Sequence, residues 1–277
     1  MQKLFNNILV PVTVDSKAGD TIDEAIRFAN QFHCNLHLVA IAQNVSLGLF
    51  GEQIFRLNND NEELVQTKRK LAELQAKYSQ NLLKGLSISV YSEPGEAEEI
   101  IATYAAVHRV DLVFIVNERR SILMKRMRLN ANRLAGKVNC PVLSMSASVG
   151  IDGLKNIVMP VGKSLPINKI RVAAYLAKHC HSCIHLVTKE RGGLMYEELA
   201  YMQKSLQVLK DNTNLRVECK TLSGESISTI ALQYARKVNA DMIIVNPGAE
   251  SFLPGMVNRF FSRLLSTDSR IPVLTVT

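Results

Sequence analysis

Arg119, Arg120, Lys125, Arg126, Arg128 and Arg133 lie within one short stretch of the 277-residue sequence. Guanidinium forks bind phosphate and carboxylate through paired hydrogen bonds, so this cluster is a candidate anion or nucleotide site built from side chains. A charge run is more often a solvated helix face, and that is the favoured reading. Arg259 and Arg263 repeat the pattern weakly. His179, Cys180, His181, Cys183 and His185 form a second chemically suggestive set. A Cys-x-x-Cys without a second pair at suitable spacing is a weak zinc signal. Strand alternation would put Cys183 and His185 on one face and Ser182 and Ile184 on the other. His33, Cys34 and His37 occupy the same kind of junction earlier in the chain, so His37 and His185 are read as a repeated packing feature, with no metal or redox role. Cys140, before Pro141, is read as a small buried hydrophobe rather than a nucleophile. Ser251 and Ser262 have no evident His or Asp partner, and no paired carboxylates or nucleophile elbow stand out. The chain is therefore expected not to be an enzyme.

The elements that would position these residues occur twice. Met242-Ile243-Ile244-Val245 is an apolar, β-branched run bounded by Asn246-Pro247-Gly248, the pattern of a strand buried on both faces. A loop follows, then an amphipathic segment from Val257 to Leu265, then the strand Pro272 to Val276. Val110 to Ser146 has the same plan: Asp111 answers to Asp241, Val116-Asn117 to Val245-Asn246, and Pro141-Val142-Leu143 to Pro272-Val273-Leu274. In an open α/β sheet the loop after such a strand lines a ligand crevice.

Upstream, Asn7 to Val12 is a strand, Thr21 to Phe32 a helix, and Leu36 to Ala42 a strand. Gln43 to Asp60 is read as a long connection, Glu62 to Tyr78 as a helix, and Leu86 to Val90 as a strand. Gly95-Glu96 opens a helix running to about His108. A strand over 111–116, a helix near 123–137 and a strand over 141–145 complete the first copy. Ser146 to Gly153 is small, polar and glycine-bearing, a linker between domains spanning 1–147 and 152–277. The series then restarts with the strand Asn156 to Val161, the helix Ile167 to Lys178, and the strand Ser182 to Thr188. A helix from Tyr196 to Leu209 and a strand from Leu215 to Leu222 follow, and Gly224-Glu225 opens the next helix. The first copy carries about twenty extra residues, best placed in Gln43–Asp60. Leu47, Leu49, Phe50, Ile54 and Phe55 make that insertion apolar enough to expect it at a domain or subunit interface. Alternation of strands and helices predicts parallel sheets covered on both faces.

Hydrophobic content of 47% against 21% charged residues is the balance of a globular protein. No apolar run approaches the roughly 20 residues of a membrane helix, and the first residues do not resemble a signal peptide. Five cysteines, an odd count, argue against a disulfide framework. A cytoplasmic protein with no membrane partner is expected. The net charge of +8 divides into +2 for residues 1–150 and +6 for the rest, a mild excess that permits anion binding. With no tryptophan and few other aromatics, a nucleic-acid stacking platform is not expected.

Ile8-Leu9-Val10-Pro11-Val12, Ile157-Val158-Met159-Pro160-Val161, the two Gly-Glu helix starts, Ala240 to Val245 and the closing Pro-Val-Leu strands together resemble the universal stress protein family. Each half looks like one such domain, and the resemblance covers nearly the whole chain. It implies tandem Rossmann-like domains of the adenine-nucleotide-alpha-hydrolase-like type. Each would be a five-stranded parallel sheet of order 3-2-1-4-5 with helices on both faces. It also implies an intramolecular pseudo-dimer, the last strands of the two domains pairing antiparallel.

ATP-binding members of that family end the first strand in Asp and follow the fourth with a G-x2-G-x9-G-[ST] phosphate loop. Glycines there let backbone N–H groups close on phosphates. This sequence departs from the pattern twice. Thr13 and Gly162 stand where the resemblance implies Asp. Asn246, Ala249 and Arg259 replace the three glycines of the second copy, Phe260 replaces the Ser/Thr, and Gly248 with Pro247 shapes a turn. The first copy reads Asn117-Glu118-Arg119-Arg120, with Arg128-Leu129 at the end of the motif. Bulky residues and the carboxylates of Glu118 and Glu250 oppose a triphosphate. No cofactor is therefore expected. The expectation is a non-catalytic stress-response or regulatory protein acting through domain association and contacts with an unspecified protein partner, with a homodimer left open. The alternative is a module holding ATP, AMP or another anionic metabolite in the crevice.

Overall fold

The computed structural model describes residues 3–14, 18–42, 53–117, 129, 131–146, 149–150, 153–190, 196–224, 226–246 and 271–277. By contacts the chain divides into two compact units, Phe5–Cys140 and Met1–Leu4 with Pro141–Thr277.

In the Phe5–Cys140 unit the apolar runs form strands because both faces of the sheet are covered. The elements in chain order are β1 (Asn7–Pro11), α1 (Ala18–Phe32), β2 (Asn35–Ala42), α2 (Gln53–Ser79), β3 (Ile88–Pro94), α3 (Ala97–Val107), β4 (Leu112–Asn117) and α4 (Ala131–Lys137). The strands lie in the order β3-β2-β1-β4. All pairings are parallel, and Leu9 of β1 sits between His37 of β2 and Val113 of β4. Ile8, Leu9, Val10, Leu36, Leu38, Val113 and Phe114 are fully buried. The Phe5, Phe28, Phe32 and Phe114 rings pack together, Phe28 lying 4.5 Å from Phe32 and 5.5 Å from Phe114 between centroids.

Several boundaries differ from the sequence expectation: the first helix, expected from Thr21, begins at Ala18, and the strand expected from Leu215 begins at Val217. The helix expected from Glu62 begins at Gln53, so Asn58-Asn59-Asp60 is helical rather than a loop, and residues 43–52 lie outside the described residues. The strand expected over Leu86 to Val90 is Ile88–Pro94. It follows β2 to its end, Ala42 pairing with Pro94, and Pro94 is tolerated as the last residue of a strand with no ladder donor required beyond it.

The second unit contains β5 (Val142–Ser146), β6 (Asn156–Pro160), α5 (Ile167–Cys180), β7 (Cys183–Lys189), α6 (Tyr196–Asn212), β8 (Val217–Leu222), α7 (Ile227–Lys237), β9 (Met242–Val245) and β10 (Val273–Thr275). The second repeat runs β8-β7-β6-β9-β10, the expected 3-2-1-4-5 order, with parallel neighbours. On its far side β10 pairs antiparallel with β5, Leu274 opposite Leu143. The fifth strand of the first repeat is thus held by the unit that contains the second repeat. All residues of both strands are buried.

The amino ends of the strands are pinned identically in the two repeats. Asp111 Oδ2 accepts from the backbone N–H of Asn6 at 2.7 Å and Asn7 at 3.1 Å. Asp241 Oδ2 does the same for Lys155 at 2.7 Å and Asn156 at 2.8 Å. These charge-assisted bonds fix the start of the first strand beside the start of the fourth. Helices α1 and α5 stop at His33 (φ 55°) and His181 (φ 54°), left-handed residues that turn the chain into β2 and β7.

Candidate functional site

In each repeat the strand order reverses between the first and fourth strands, which opens a crevice at their carboxyl ends. Thr13, two residues beyond β1, is half-buried there. Asn117 is the last residue of β4. In the second repeat Gly162 and Asn246 follow β6 and β9 at the corresponding places, both half-buried. Thr13, Asn117, Gly162 and Asn246 therefore lie at carboxyl ends of the switch-point strands. Arg119, Arg120, Arg128, Gly248, Ala249 and Arg259 lie outside the described residues, as do Lys125, Arg126, Arg263 and the amphipathic segment Val257 to Leu265.

Arg133 corrects part of the basic-cluster reading. Its Nε and Nη2 donate to Glu98 Oε1 of α3 at 3.0 and 2.8 Å, and Lys137 Nζ bonds Glu99 at 2.5 Å. These two charges join α4 to α3.

A group the sequence reading missed stands at the second crevice. Lys169 is 1% exposed, and its Nζ donates to the carbonyl of Pro160, the last residue of β6, at 2.5 Å. An ammonium so far from water needs such an acceptor. Its signal in the sequence is its position: Ala173, Leu176 and Ala177 follow at helical spacing and are all buried, so Lys169 sits on the apolar stripe of α5. Measured from the helix-ending histidines, the same station in the first repeat holds the buried Thr21. Beside Lys169, Thr188 Oγ1 donates to Val161 O at 3.1 Å, holding the backbone that leads into Gly162.

Several other candidates belong to the scaffold, while Ser251 and Ser262 lie outside the described residues. Cys140 is buried, and burial with the nearby Asp111 carboxylate pushes its thiol up to about 12, far from a thiolate nucleophile at neutral pH. Burial raises the Cys183 thiol as well. His179 Nδ1 bonds the Tyr175 carbonyl at 3.0 Å. His185 bonds the Tyr234 hydroxyl at 3.2 Å through Nδ1 and Asn156 Oδ1 at 3.2 Å through Nε2. Among the described residues no three His, Cys, Asp or Glu side chains lie close enough to hold a metal ion, and no helix is long and apolar enough to cross a membrane.

Comparison with protein-family models matches residues 4–144, just over half of the 277, to the universal stress protein family. Among solved structures, a universal stress protein from Archaeoglobus fulgidus superposes with a TM-score of 0.73 at 14% identity, covering 100% of this chain and 99% of that one. A protein from Pseudomonas aeruginosa described as a putative universal stress protein gives 0.59 at 16% identity, covering 99% and 94%. The cytoplasmic domain of a prokaryotic cation chloride cotransporter gives 0.52 at 11% identity, covering 98% and 95%. At these identities the likenesses establish the fold alone. A search of the curated proteins found no match.

Proposed function

The chain belongs to the universal stress protein family, and from that premise we propose that it is a non-catalytic stress-response or regulatory protein whose two repeats have given up family-type ATP binding. It works through association of its domains and through protein contacts. The observation that carries this reading is the second crevice: Gly162 follows β6 at the switch point with no side chain to hold a ligand, where the resemblance implies Asp. In the first crevice Thr13 stands where the resemblance implies a carboxylate. Both replacements lie where the strand order reverses, so they bear on the ligand position rather than on the fold.

The second reading is an anion-binding module, and Lys169 is its support. A lysine side chain at the carboxyl end of β6 places a cationic group near the switch point, where it favours phosphate or carboxylate. Calorimetric titration of the full chain with ATP and magnesium separates the two. The expected result is dilution heat only. A saturable heat with defined stoichiometry, lost in Lys169→Met, would replace the first reading with the second.

A further inference from the structure

We infer that the Phe5–Cys140 unit contains an acid-triggered release of α3, formed by the clustered rings of His37, Tyr104 and His108, and that the second repeat, which has no second imidazole there, responds less. This goes beyond the proposed function and holds whatever the crevices bind.

His37 lies on β2, buried, with Nδ1 3.0 Å from the hydroxyl of Tyr104 on α3. His108 is the residue that caps the end of α3; its exposed ring stacks on Tyr104 at 4.0 Å and lies 5.9 Å from His37 between centroids. The three rings form one cluster, with His37 buried and His108 exposed. Around them β1 contributes Leu9 in register with His37, and β3 contributes Ser89 in register on the other side. Tyr91 of β3 packs on Tyr104 at 4.8 Å and gives its hydroxyl to Glu93 at 2.5 Å. Asn7 and Asn35 bond one another. By strand alternation Ile8, Leu36 and Ile88 face the opposite side of the sheet. No carboxylate stands in register beside His37. Burial and the His108 charge both hold its pKa below the ordinary 6.5.

The second repeat is built from the same parts with the charges changed. His185 bonds Tyr234 of α7 as His37 bonds Tyr104. Glu218 of β8 takes the register place of Ser89, and its Oε2 lies 3.6 Å from His185 Nδ1. Val238 caps α7 where His108 caps α3. The pKa of His185 is likewise held below 6.5, by burial first, with Glu218 raising it and Arg216 and Lys220, exposed on the same face as Glu218, lowering it; Arg216 Nη2 also donates to Glu218 Oε1 at 2.8 Å. A proton on His185 therefore has a carboxylate beside it, whereas His37 has the ring of His108 nearby and no carboxylate in register.

A folded-state pKa below the unfolded value means the unfolded segment binds more protons, so stability is complete above 6.5 and is lost as pH falls below it. Turning His37 into water requires α3 to lift, and α3 carries Tyr104, His108 and the Glu98 and Glu99 links to α4.

Hydrogen exchange of the full chain, followed by mass spectrometry from about pH 7.5 to about pH 5.5 and corrected for the intrinsic rate, tests this. Peptides from α3 should lose protection by up to about tenfold per pH unit, the slope of one proton. Peptides from α7 should lose distinctly less. His108→Gln, at an exposed position, and Ser89→Glu, which supplies the missing carboxylate, should each flatten the α3 response. Parallel loss in α3 and α7, or an α3 slope unchanged in both variants, would overturn the inference.

Discussion

Replacing Phe28 with alanine should destabilise the Phe5–Cys140 unit by about 3–5 kcal/mol, the cost of deleting a buried ring and leaving its cavity. Phe28 is 1% exposed in the middle of α1. It contacts Phe5, Phe32 and Phe114, the last on β4, so it ties a helix to the strand beside the first crevice. Its neighbours are large, ring-shaped and themselves packed in a sheet, so they collapse poorly into the space. Guanidinium unfolding of the variant reads the loss directly. Val107→Ala, at a side chain 71% exposed, should change stability by no more than about 0.5 kcal/mol. A Phe28→Ala loss near that of Val107→Ala would mean that α1 does not hold the core as described.

Gly224→Ala should cost about 1–3 kcal/mol although the residue is exposed, because added volume in a filled space forces neighbours off their rotamers. A β-carbon at Gly224 would stand 2.2 Å from Ile230 Cγ2. Ile230 is 2% exposed on the first turn of α7, and a β-branched side chain in a helix has one strongly preferred rotamer. The methyl therefore cannot swing away, and the turn into α7 must shift. Gly136→Ala is the contrasting change: its position in the last turn of α4 has open space, and a helical residue prefers alanine by at most about 0.5–1 kcal/mol. Urea midpoints for the two variants should move in opposite directions. If both rise, the close approach at Gly224 is not a constraint.

The scaffold is legible in the residues because its signals are local. Met242 to Val245 is four apolar residues in a row, and Asp111 and Asp241 recur at the same offset before their strands, so two copies of one sheet can be read from the amino acids alone. Boundaries set by a partner strand are not. Pro94 looks like a turn until β2 is seen to offer seven residues of edge for β3 to follow. The helical start at Gln53 runs through Asn58-Asn59-Asp60, residues whose local preference is for turns. The site is legible only as a set of departures from a family pattern, at Thr13, Gly162 and Asn246. Lys169 escapes a reading by type because a lysine on an apolar stripe is ordinarily assumed to reach water, and its bond to the Pro160 carbonyl is visible only in the fold. His37 and His185 read as repeated packing; their tyrosines, 67 and 49 residues away, and the different neighbours of each pair, His108 and Glu218, become visible only in the fold.

Denaturing freshly purified full-length protein and analysing the released small molecules by mass spectrometry tests the loss of nucleotide binding most directly. No nucleotide above the level of a protein-free control is the expected result. A stoichiometric adenine nucleotide would contradict it, since a ligand retained through purification must be held by crevices that have kept their grip on phosphate.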